Sequence, residues 1–441
     1  MVVRIGCGAG FAGDRLSPAL DLLTRGRLDF LVLECLAERT IAEAQLRRLG
    51  DSNAGYDPLL DKRLRQMLPV MATVETRLIT NMGAANPESA AKRIVEIAGE
   101  LDIPIQVAAL GGDDVLDLID PATPALEDGI ALERHGEIIS ANAYVGIDHL
   151  RRALSTGARI VVTGRVADPS LFLAPLADVL EWDTDDANLM ASGTLVGHLL
   201  ECGPQVSGGY FADPPHSGVP DLANVGYPLA EVAADGSAVI TKLDGTGGMV
   251  TRNTVIEQLL YEITNPHAYV TPDVVADFSA VDVVDYGGDR VRVGGAGGSN
   301  RPEQLKVSVG YRAGFTVEGE ISFAGRGATQ RGRLACDLIE QRLANTGEGL
   351  HFEVTEVREL DLDTGSWSTP GCRVRVAGRV GDRAAAEQVA EEVTALYTSG
   401  PAGGGGVRTR VEETIGIVST LIPRDAIKPR VSIVAGDEVS V

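Results

Sequence analysis

The sequence is poor in lysine, cysteine and aromatic residues, and it contains no long apolar run. Lysine occupies only five of 441 positions, so arginine carries nearly all of the positive charge, as is common in proteins of GC-rich bacteria. Five cysteines without close spacing do not make a disulfide framework. No stretch approaches the roughly 20 apolar residues that span a bilayer, and the first residues lack the pattern of a signal peptide. These absences predict a bacterial cytoplasmic protein with no membrane partner.

Acidic residues dominate the charge of the chain. Asp and Glu total 62 against 39 Lys and Arg, which gives a formal net charge of −23. A surface this acidic repels phosphate backbones, so we expect no nucleic-acid partner. Any anionic ligand has to be held locally, by arginine side chains and backbone N–H groups. The length allows two or three domains with a sizeable core.

Short apolar runs alternate with longer segments of helical periodicity in the first part of the chain. Each run is followed at once by a glycine-rich or polar turn, and the runs lie at 2–5, 30–33, 77–80, 105–109 and 159–163. They lack strict alternation of apolar and polar residues, as expected of strands that are covered on both faces. The expected fold class is therefore α/β, with a mostly parallel, doubly wound sheet built from βα units. Ligands of such sheets bind outside the carboxyl ends of the strands, so the five turns should gather at one edge.

The composition changes after this pattern. Residues 190–330 are rich in glycine and turn signals, and we expect them to form strands and long loops that cover the sheet edge. Beyond them, the pattern predicts a smaller α+β layer with helices at 334–344 and 383–396. We therefore divide the chain into an α/β core of residues 1–326, which carries the glycine-rich site loops, and a smaller α+β domain or appendage of residues 327–441.

The first glycine-rich turn, GCGAGFAGDR at 6–15, joins a strand to a helix and offers N–H groups to a phosphate or carboxylate. Gly10, Asp14 and Arg15 are the candidate substrate-binding residues of this turn. The turn matches neither the complete G-x-G-x-x-G fingerprint nor a Walker loop, so we expect no nucleotide cofactor. The alternative is a tight turn that simply requires small residues.

Two later turns place amide and carboxylate side chains at strand ends. Asn81 is a candidate for polarising a carbonyl group. Asn86, just before a proline, is either a substrate-binding residue or a helix N-cap. Asp113 and Asp114 are adjacent, so in a turn one of them can point inwards as a base or a metal ligand. An N-cap beside a solvated acid is the alternative for this pair.

The turn TGRVADPS at 163–170 carries the best candidate for the centre of the site. Arg165 directly follows a strand and can bind an anion through two parallel hydrogen bonds, and Asp168 can orient it. A purely structural Arg–Asp pair is the alternative.

Two further candidates depend on spacing or on scarcity. His198 and Glu201 share one face of a helix, so they can act as a base with its orienting carboxylate or as two metal ligands. Further ligands at suitable spacing are missing, so we expect no metal, and a hydrogen-bonded buried His198 is the alternative. Lys242 precedes the loop that contains Thr246, and the two are candidates for binding a phosphate or carboxylate. An ordinary surface lysine is the alternative there.

Eight of these segments, taken in order, resemble the acyclic terpene utilisation (AtuA) family. They are GAGFAGDR, LVLECLAERT, TNMGAANP, GDD, ANAYVG, VVTGRVADPSL, GHLLECGPQVSGGYFADP and GTGGMVTRNTVIEQLLYEI. The resemblance covers residues 4–330 densely and continues more loosely through TSGPAGGGGV. It implies a role in bacterial degradation of citronellol and geraniol through branched acyl-CoA thioesters, and it carries over no established catalytic residue.

Many members of that family carry a further C-terminal ferredoxin-like domain with an RSGDKG-like motif. That motif is not found in this sequence. The resemblance therefore implies that the domain is absent or is supplied by a separately encoded small protein, which becomes a candidate partner.

The favoured hypothesis is a hydratase- or lyase-type enzyme that acts on a branched acyl-CoA or carboxylate. Arg15 and Arg165 would hold the anionic group, while Asn81 and loop N–H groups would stabilise an enolate oxygen. The proton α to the carbonyl would be moved by Asp113, Asp114 or His198. No separate cofactor is expected, coenzyme A entering only as part of the substrate, and a homo-oligomer is expected. One alternative is a metal-assisted hydrolase that uses Asp113, Asp114, His198 and Glu201. The other is a non-catalytic binding or scaffold subunit of the pathway.

Overall fold

The computed structural model describes residues 1–344, 349–360 and 367–436. Strands and helices alternate through most of the chain. The strands are, in chain order, β1 (Val2–Ala9), β2 (Phe30–Leu33), β3 (Arg77–Thr80), β4 (Gln106–Gly111), β5 (Ile138–Ala143), β6 (Ile160–Thr163), β7 (Pro228–Ala233), β8 (Ala238–Lys242), β9 (Tyr269–Val270), β10 (Val275–Asp277), β11 (Asp282–Asp285), β12 (Val291–Gly294), β13 (Gly297–Ser299), β14 (Gln304–Ala324), β15 (Leu350–Leu360), β16 (Trp367–Val380), β17 (Gly404–Pro423) and β18 (Arg430–Ala435).

Helices connect the strands of the first half and recur near the end of the chain. They are α1 (Ser17–Arg25), α2 (Glu38–Gly50), α3 (Leu60–Met71), α4 (Pro87–Glu100), α5 (Ile147–Leu154), α6 (Asp168–Val179), α7 (Ala187–Glu201), α8 (Arg252–Leu260), α9 (Ala328–Arg342) and α10 (Arg383–Ser399). Among the helices of the described ranges, none combines the length and the apolar character needed to cross a membrane.

Five adjacent strands of the large sheet are parallel, and they coincide with the five apolar runs of the sequence. The sheet has ten strands in the order β11-β12-β8-β7-β1-β2-β3-β6-β4-β18, and the strands from β1 to β4 in this order are the parallel ones. From β1 to β3 each strand lies beside the previous one. β4 then lies one position further out, and β6 lies between β3 and β4, so the order of the strands reverses there. Ligands of α/β sheets bind at such a change of direction, outside the carboxyl ends of the strands.

The other strands of this sheet are antiparallel. β7, β8, β12 and β11 extend it beyond β1, and β18 pairs with β4 at the opposite edge. The sheet is therefore mixed, and the expectation of a mostly parallel sheet is not confirmed. The glycine-rich middle segment was expected to cover the sheet edge, but several of its strands extend the sheet sideways, because β7 finds its hydrogen-bond partner in β1.

The parallel strands are buried on both faces. All four residues of β2 are buried. Leu31 and Leu33 pack in one apolar cluster with Leu64 of α3 and Ile94 of α4, while Val32 is buried on the opposite face. Burying each such side chain stabilises the fold by roughly 1.5–3 kcal/mol. This two-sided burial is the reason that the run contains no polar alternation.

The chain divides into two compact units. The larger comprises residues 1–132, 139–310 and 417–441, and the smaller comprises residues 133–138 and 311–416. The smaller unit thus begins earlier than the division expected at residue 327. It also ends earlier than expected, since the segment from residue 417 returns to the larger unit.

The smaller unit has a ferredoxin-like arrangement of elements. Its strands and helices follow one another as βαββαβ, and its strands lie in the order β15-β16-β14-β17. Ile321 of β14 and Val374 of β16 share an apolar core with Ala335 of α9 and Val393 of α10. Both helices therefore contribute their apolar sides to a single core with the sheet.

Candidate active site

Four polar residues follow four neighbouring parallel strands and lie at the same edge of the sheet. Glu34 follows β2, Asn81 follows β3, Arg165 comes two residues after β6, and Asp113 comes two residues after β4. The strands are adjacent in the order β2-β3-β6-β4, so their carboxyl ends meet. All four side chains are buried. The expected gathering of strand-end turns at one edge is therefore confirmed for these positions.

Arg165 is the central cation of this cluster, and its side chain is only 1% exposed. Its Nη2 forms an ion pair with Asp168, and its Nη1 donates to the carbonyl oxygen of Leu36 at 2.5 Å. The guanidinium carbon lies 4.3 Å from the ring centre of Tyr144, a cation–π distance. In the part of the chain that the structure describes, Nε has no partner. Protein groups thus already bind both Nη atoms, which were expected to clamp an anionic ligand.

Asp113 is buried and holds two neighbouring segments in place. Its Oδ2 accepts hydrogen bonds from the backbone N–H of Arg165 at 2.8 Å and from the amide of Asn142 at 3.0 Å. Burial raises the pKa of Asp113 to about 6, against the opposing effect of these two donors. Asp114 points to a different environment, where its carboxylate lies 3.7 Å from Nη1 of Arg48 and remains partly exposed. Of the two adjacent acidic residues, Asp113 is therefore buried and Asp114 is partly exposed.

Glu34 and Asn81 form a hydrogen-bonded pair beside Arg165. Asn81 accepts from the N–H of Cys35 at 2.7 Å and donates to Oε1 of Glu34 at 2.9 Å. Burial raises the pKa of Glu34 to about 7, although Arg165 and Asn81 favour the charged form. Both ends of the Asn81 amide are therefore used within the protein, where a carbonyl-polarising role had been expected.

His198 and Glu201 lie on the same face of α7, one helical turn apart. Their Nδ1 and Oε1 atoms are 2.9 Å apart, and Nε2 of His198 lies 3.3 Å from the carbonyl oxygen of Leu259. The imidazole packs against the rings of Tyr269 and Phe278, whose centres are 5.2 and 5.9 Å away and which also contact each other. Burial raises the pKa of Glu201, and His198 opposes this rise. Oε2 of Glu201 is buried without a partner in the described ranges.

A pocket of about 300 Å³ opens beside this cluster. Asp168, which stands at the start of α6, is the member of the cluster that lines it, and a third of its side chain is exposed. Burial and the neighbouring carboxylates raise the pKa of Asp168 well above its usual range, although Arg165 favours the charged form. The other polar residues that line the pocket are Glu38, Tyr144, Glu262, Tyr269, Thr271, Gln304 and Lys306. Apolar lining comes from Ala167, Pro169, Val270, Pro272, Pro302, Leu305 and Leu421.

Glu38, Tyr144 and Lys306 form a second polar group at the pocket wall. The hydroxyl of Tyr144 hydrogen-bonds to Glu38, and Nζ of Lys306 lies 3.5 Å from the same carboxylate. Lys306 also lies 5.1 Å from the centre of the Tyr144 ring. Among the described residues, no group of three or more His, Cys, Asp or Glu side chains is arranged to hold a metal ion.

Arg15, Lys242 and Thr246 lie elsewhere in the larger unit. Arg15 and Thr246 line a separate cavity of about 250 Å³ beside α1. Arg15 donates to the carbonyl oxygen of Ala223 at 2.5 Å. Nζ of Lys242 lies 2.9 Å from both the carbonyl oxygen of Thr246 and the carboxylate of Asp289. The candidates drawn from the sequence therefore do not all lie at one site.

The first glycine turn serves close packing. The N–H of Gly10 donates to the carboxylate of Asp14 at 2.8 Å, and a Cβ at Gly10 would lie 2.2 Å from the carbonyl carbon of Cys202. Only glycine fits there, because backbone atoms occupy the space that a side chain would need.

Asn86 has the bonds of a helix cap. Its side chain accepts from the N–H of Ser89 at 3.3 Å, within the first turn of α4. Its amide donates to the carbonyl oxygens of Ser52 and Ala54 at 3.0 and 2.8 Å. These bonds tie the start of the helix to the preceding loop.

Five further residues at or near the pocket were not predicted from the sequence: Glu34, Glu38, Tyr144, Tyr269 and Lys306. Glu34 had a usable signal, because it directly follows an apolar run, the same rule that selected Asn81. The other side chains reach the pocket from segments far apart in sequence, and no local spacing marks them.

A model of the family described as acyclic terpene utilisation family protein AtuA matches residues 3–433, nearly the whole chain. No curated protein matches the chain. Among solved structures, the crystal structure of protein SO0527 from Shewanella oneidensis is 12% identical, and the match covers 24% of this chain and 97% of that chain with a TM-score of 0.16. A likeness at this TM-score supports no inference about the fold or the function.

Proposed function

The chain belongs to the acyclic terpene utilisation family, and we propose that it is an enzyme that moves a proton at the carbon α to the carbonyl of a branched acyl thioester or carboxylate. The overall reaction would be of the hydratase or lyase type. The observation that carries this proposal is the carboxyl group of Asp168, which lines the pocket and is paired with the buried Arg165.

The pocket suits a branched acyl group. Its lining includes the apolar residues Val270, Leu305 and Leu421 together with residues that carry carboxyl and hydroxyl groups. Pockets for small molecules combine apolar walls with a few polar groups that fix orientation. An alkyl chain would pack against the apolar residues, and its carbonyl end would be bound by the polar ones, which include Asp168 and Tyr144.

Asp168 is the proposed catalytic residue. Burial and the neighbouring carboxylates raise the pKa of its carboxyl group, which favours the protonated form, and in that form the group can deliver a proton to the α carbon as a general acid. In its ionised form it can remove that proton again. Arg165 would hold the carboxyl group of Asp168 in place and stabilise its ionised form. Arg165 would thus bind a protein carboxylate, where the sequence had predicted that it binds an anionic ligand. Lys306 is the cation that lines the same pocket and could attract the carbonyl oxygen.

Several of the remaining candidates would hold the residues of the site in position without contacting the substrate. Asp113 and Asn81 fix the strand-end loops that carry Arg165 and Glu34, and the His198–Glu201 pair packs beneath Tyr269. Arg15, Lys242 and Thr246 lie by the second cavity and are given no part in the proton transfer.

The proposal is tested by hydrogen exchange at the α carbon. Isovaleryl-CoA and isovalerate are incubated with the purified protein in D2O, and deuterium at the α position is measured by mass spectrometry. We expect the wild type to exchange the α protons of at least one of them and Asp168→Asn to be slower by about 100-fold or more, the usual contribution of a general acid–base group. Asp114→Asn is the matched control, because its side chain lies partly exposed beside Arg48, and it should exchange at the wild-type rate. Lack of exchange by the wild type, or full exchange by a folded Asp168→Asn protein, would contradict the proposal.

A further inference from the structure

A tight turn directly after α8 has a glutamate at its third position. The backbone N–H of Ile263 donates to the carbonyl oxygen of Leu260 at 3.2 Å, which closes the turn. Tyr261 has a φ of −62° and a ψ of 126°, and Glu262 has a φ of 60°. The hydrogen bond and these angles agree with a type II turn in which Glu262 is the third residue.

Glutamate is an unfavourable residue at this position. A positive φ brings a Cβ atom close to the following carbonyl oxygen, so type II turns have glycine or asparagine here. Among the described residues, seven other than glycine have a positive φ, and Glu262 is the one that lines the pocket beside Asp168. Strained backbone of this kind is concentrated at functional sites. The pocket therefore supplies a reason for a glutamate in this turn.

Three carboxyl groups line the pocket, and their surroundings differ. Asp168 is ion-paired with Arg165. Glu38 accepts a hydrogen bond from Tyr144. Glu262 is exposed to solvent, and none of the ion pairs in the described ranges involves it. Carboxyl groups in unlike surroundings can take the unlike roles of acid and base, and the exposed carboxylate of Glu262 is the one that water reaches.

The size of the pocket brings Asp168 and Glu262 to the same ligand. A volume of about 300 Å³ holds one small acyl group, so both residues would contact it. A hydratase has to deliver a proton to the α carbon and to remove a proton from the water that attacks the β carbon. Asp168 is proposed for the first task, and the second requires another group.

We propose that Glu262 is a second catalytic residue, the base that activates water for addition to a branched α,β-unsaturated thioester. This role rests on the proposed function of Asp168. The carboxylate of Glu262 takes a proton from water while the water oxygen bonds to the β carbon, and the electrons of the C=C bond move to form an enolate. The carboxyl group of Asp168 then delivers its proton to the α carbon, which gives a β-hydroxyacyl thioester. The proton gained by Glu262 passes to solvent, and Asp168 takes one up, so both groups return to their starting forms.

Hydration of 3-methylbut-2-enoyl-CoA, the unsaturated counterpart of isovaleryl-CoA, tests this role. Mass spectrometry detects the product by its gain of one water molecule. The wild type should form it, and Glu262→Gln should be slower by about 100-fold or more, the usual contribution of a general base. Because Asp168 is intact in this variant, exchange of the α protons of the saturated substrate should stay at the wild-type rate. Glu257→Gln, an exposed change on α8, is the matched control and should hydrate as the wild type does.

Glu262→Gly separates catalysis from stability. Glycine adopts a positive φ without strain, so the midpoint of thermal unfolding should not fall, while hydration should be lost as in Glu262→Gln. A lower midpoint would show that the glutamate stabilises its turn, and it would remove the argument from strain.

Three results overturn the assignment of Glu262. They are hydration at the wild-type rate by Glu262→Gln, equal losses of hydration and α-proton exchange in that variant, and a wild type that exchanges α protons without hydrating. The first and third leave the proton transfer by Asp168 in place. A wild type that neither exchanges nor hydrates contradicts both proposals, whereas one that hydrates without exchange counts against the proposed function alone.

Discussion

The carboxylate of Asp113 occupies the space that a side chain at position 164 would need. A Cβ at Gly164 would lie 2.5 Å from Oδ1 of Asp113. The same carboxylate accepts the backbone N–H of Arg165, so the close approach holds the whole turn after β6. Glycine is required at this position by the neighbouring carboxylate rather than by its backbone angles, since its φ does not fall in the left-handed region.

Gly164→Ala should therefore destabilise the protein. The added methyl group has to displace a buried, hydrogen-bonded carboxylate, and overpacking of this kind typically costs about 1–3 kcal/mol. The free energy of unfolding from urea titration measures the effect. Gly111→Ala is the matched control, because no atom lies within 4 Å of its Cβ position, and it should be close to neutral. Equal stabilities of the two variants would show that Asp113 can move without cost.

Arg165→Met should destabilise the protein by about 3–5 kcal/mol, the usual cost of removing one partner of a buried ion pair. The change leaves Asp168 without its cation and the carbonyl oxygen of Leu36 without its donor. The loss should grow as the pH rises, because Asp168 then has to give up its proton without Arg165 beside it. Arg39→Met, on an exposed side chain, should change the free energy of unfolding by less than about 0.5 kcal/mol. A similar small change for both variants would mean that Arg165 is not needed to balance the cluster.

The pH dependence of stability should carry a contribution from Glu34. Its pKa is raised from 4.5 to about 7 in the folded chain, so the folded state binds this proton more tightly than the unfolded state does. The stabilisation is fully present below about pH 4.5 and is lost as the pH rises through about 7, a change of about 3 kcal/mol in total. Because glutamine mimics the protonated form, Glu34→Gln should flatten the curve within this window. Urea unfolding between pH 4.5 and 8 tests this, and parallel curves for the two proteins would rule it out.

Asn86→Ala should affect stability and leave ligand binding unchanged. The side chain caps α4 and satisfies the carbonyl oxygens of Ser52 and Ala54. Loss of such a cap costs about 1–2 kcal/mol. Asn53→Ala, at an exposed position of the same loop, should cost far less. Thermal unfolding ranks the two variants, and a selective loss of α-proton exchange in Asn86→Ala would return this residue to the substrate site.

The part of the site that local sequence predicts is the part built from strand ends. A buried parallel strand is a short apolar run, and whatever follows it lies at the ligand-binding edge, so Asn81, Asp113 and Arg165 could be selected before their neighbours were known. The groups that these three side chains contact could not be predicted in this way. The contact of Arg165 with Asp168, three residues further on, was expected as an orienting contact or a structural pair. The bond to the carbonyl oxygen of Leu36 was not expected, because it depends on the loop after β2.

The antiparallel strands were harder to predict than the parallel ones for a similar reason. β1 and β2 are joined through a helix, whereas β7 reaches β1 after more than 200 residues. The pocket wall has the same character, since Lys306 meets Glu38 and Tyr144 only through tertiary packing. The helix expected at 383–396 shows the opposite case: it is observed as α10 with nearly the same limits, because its apolar spacing is local.

The pairing of β18 with β4 has a consequence for biosynthesis. The ribosome makes β4 early, yet the strand that covers its outer edge is made only after the entire smaller unit. Until then the nascent larger unit exposes a row of unpaired backbone N–H and C=O groups, which can recruit strands from other chains. Rapid folding of the ferredoxin-like unit would shorten this interval. Slow translation or destabilisation of that unit should therefore lower the yield of the larger one, although none of its residues lines the pocket.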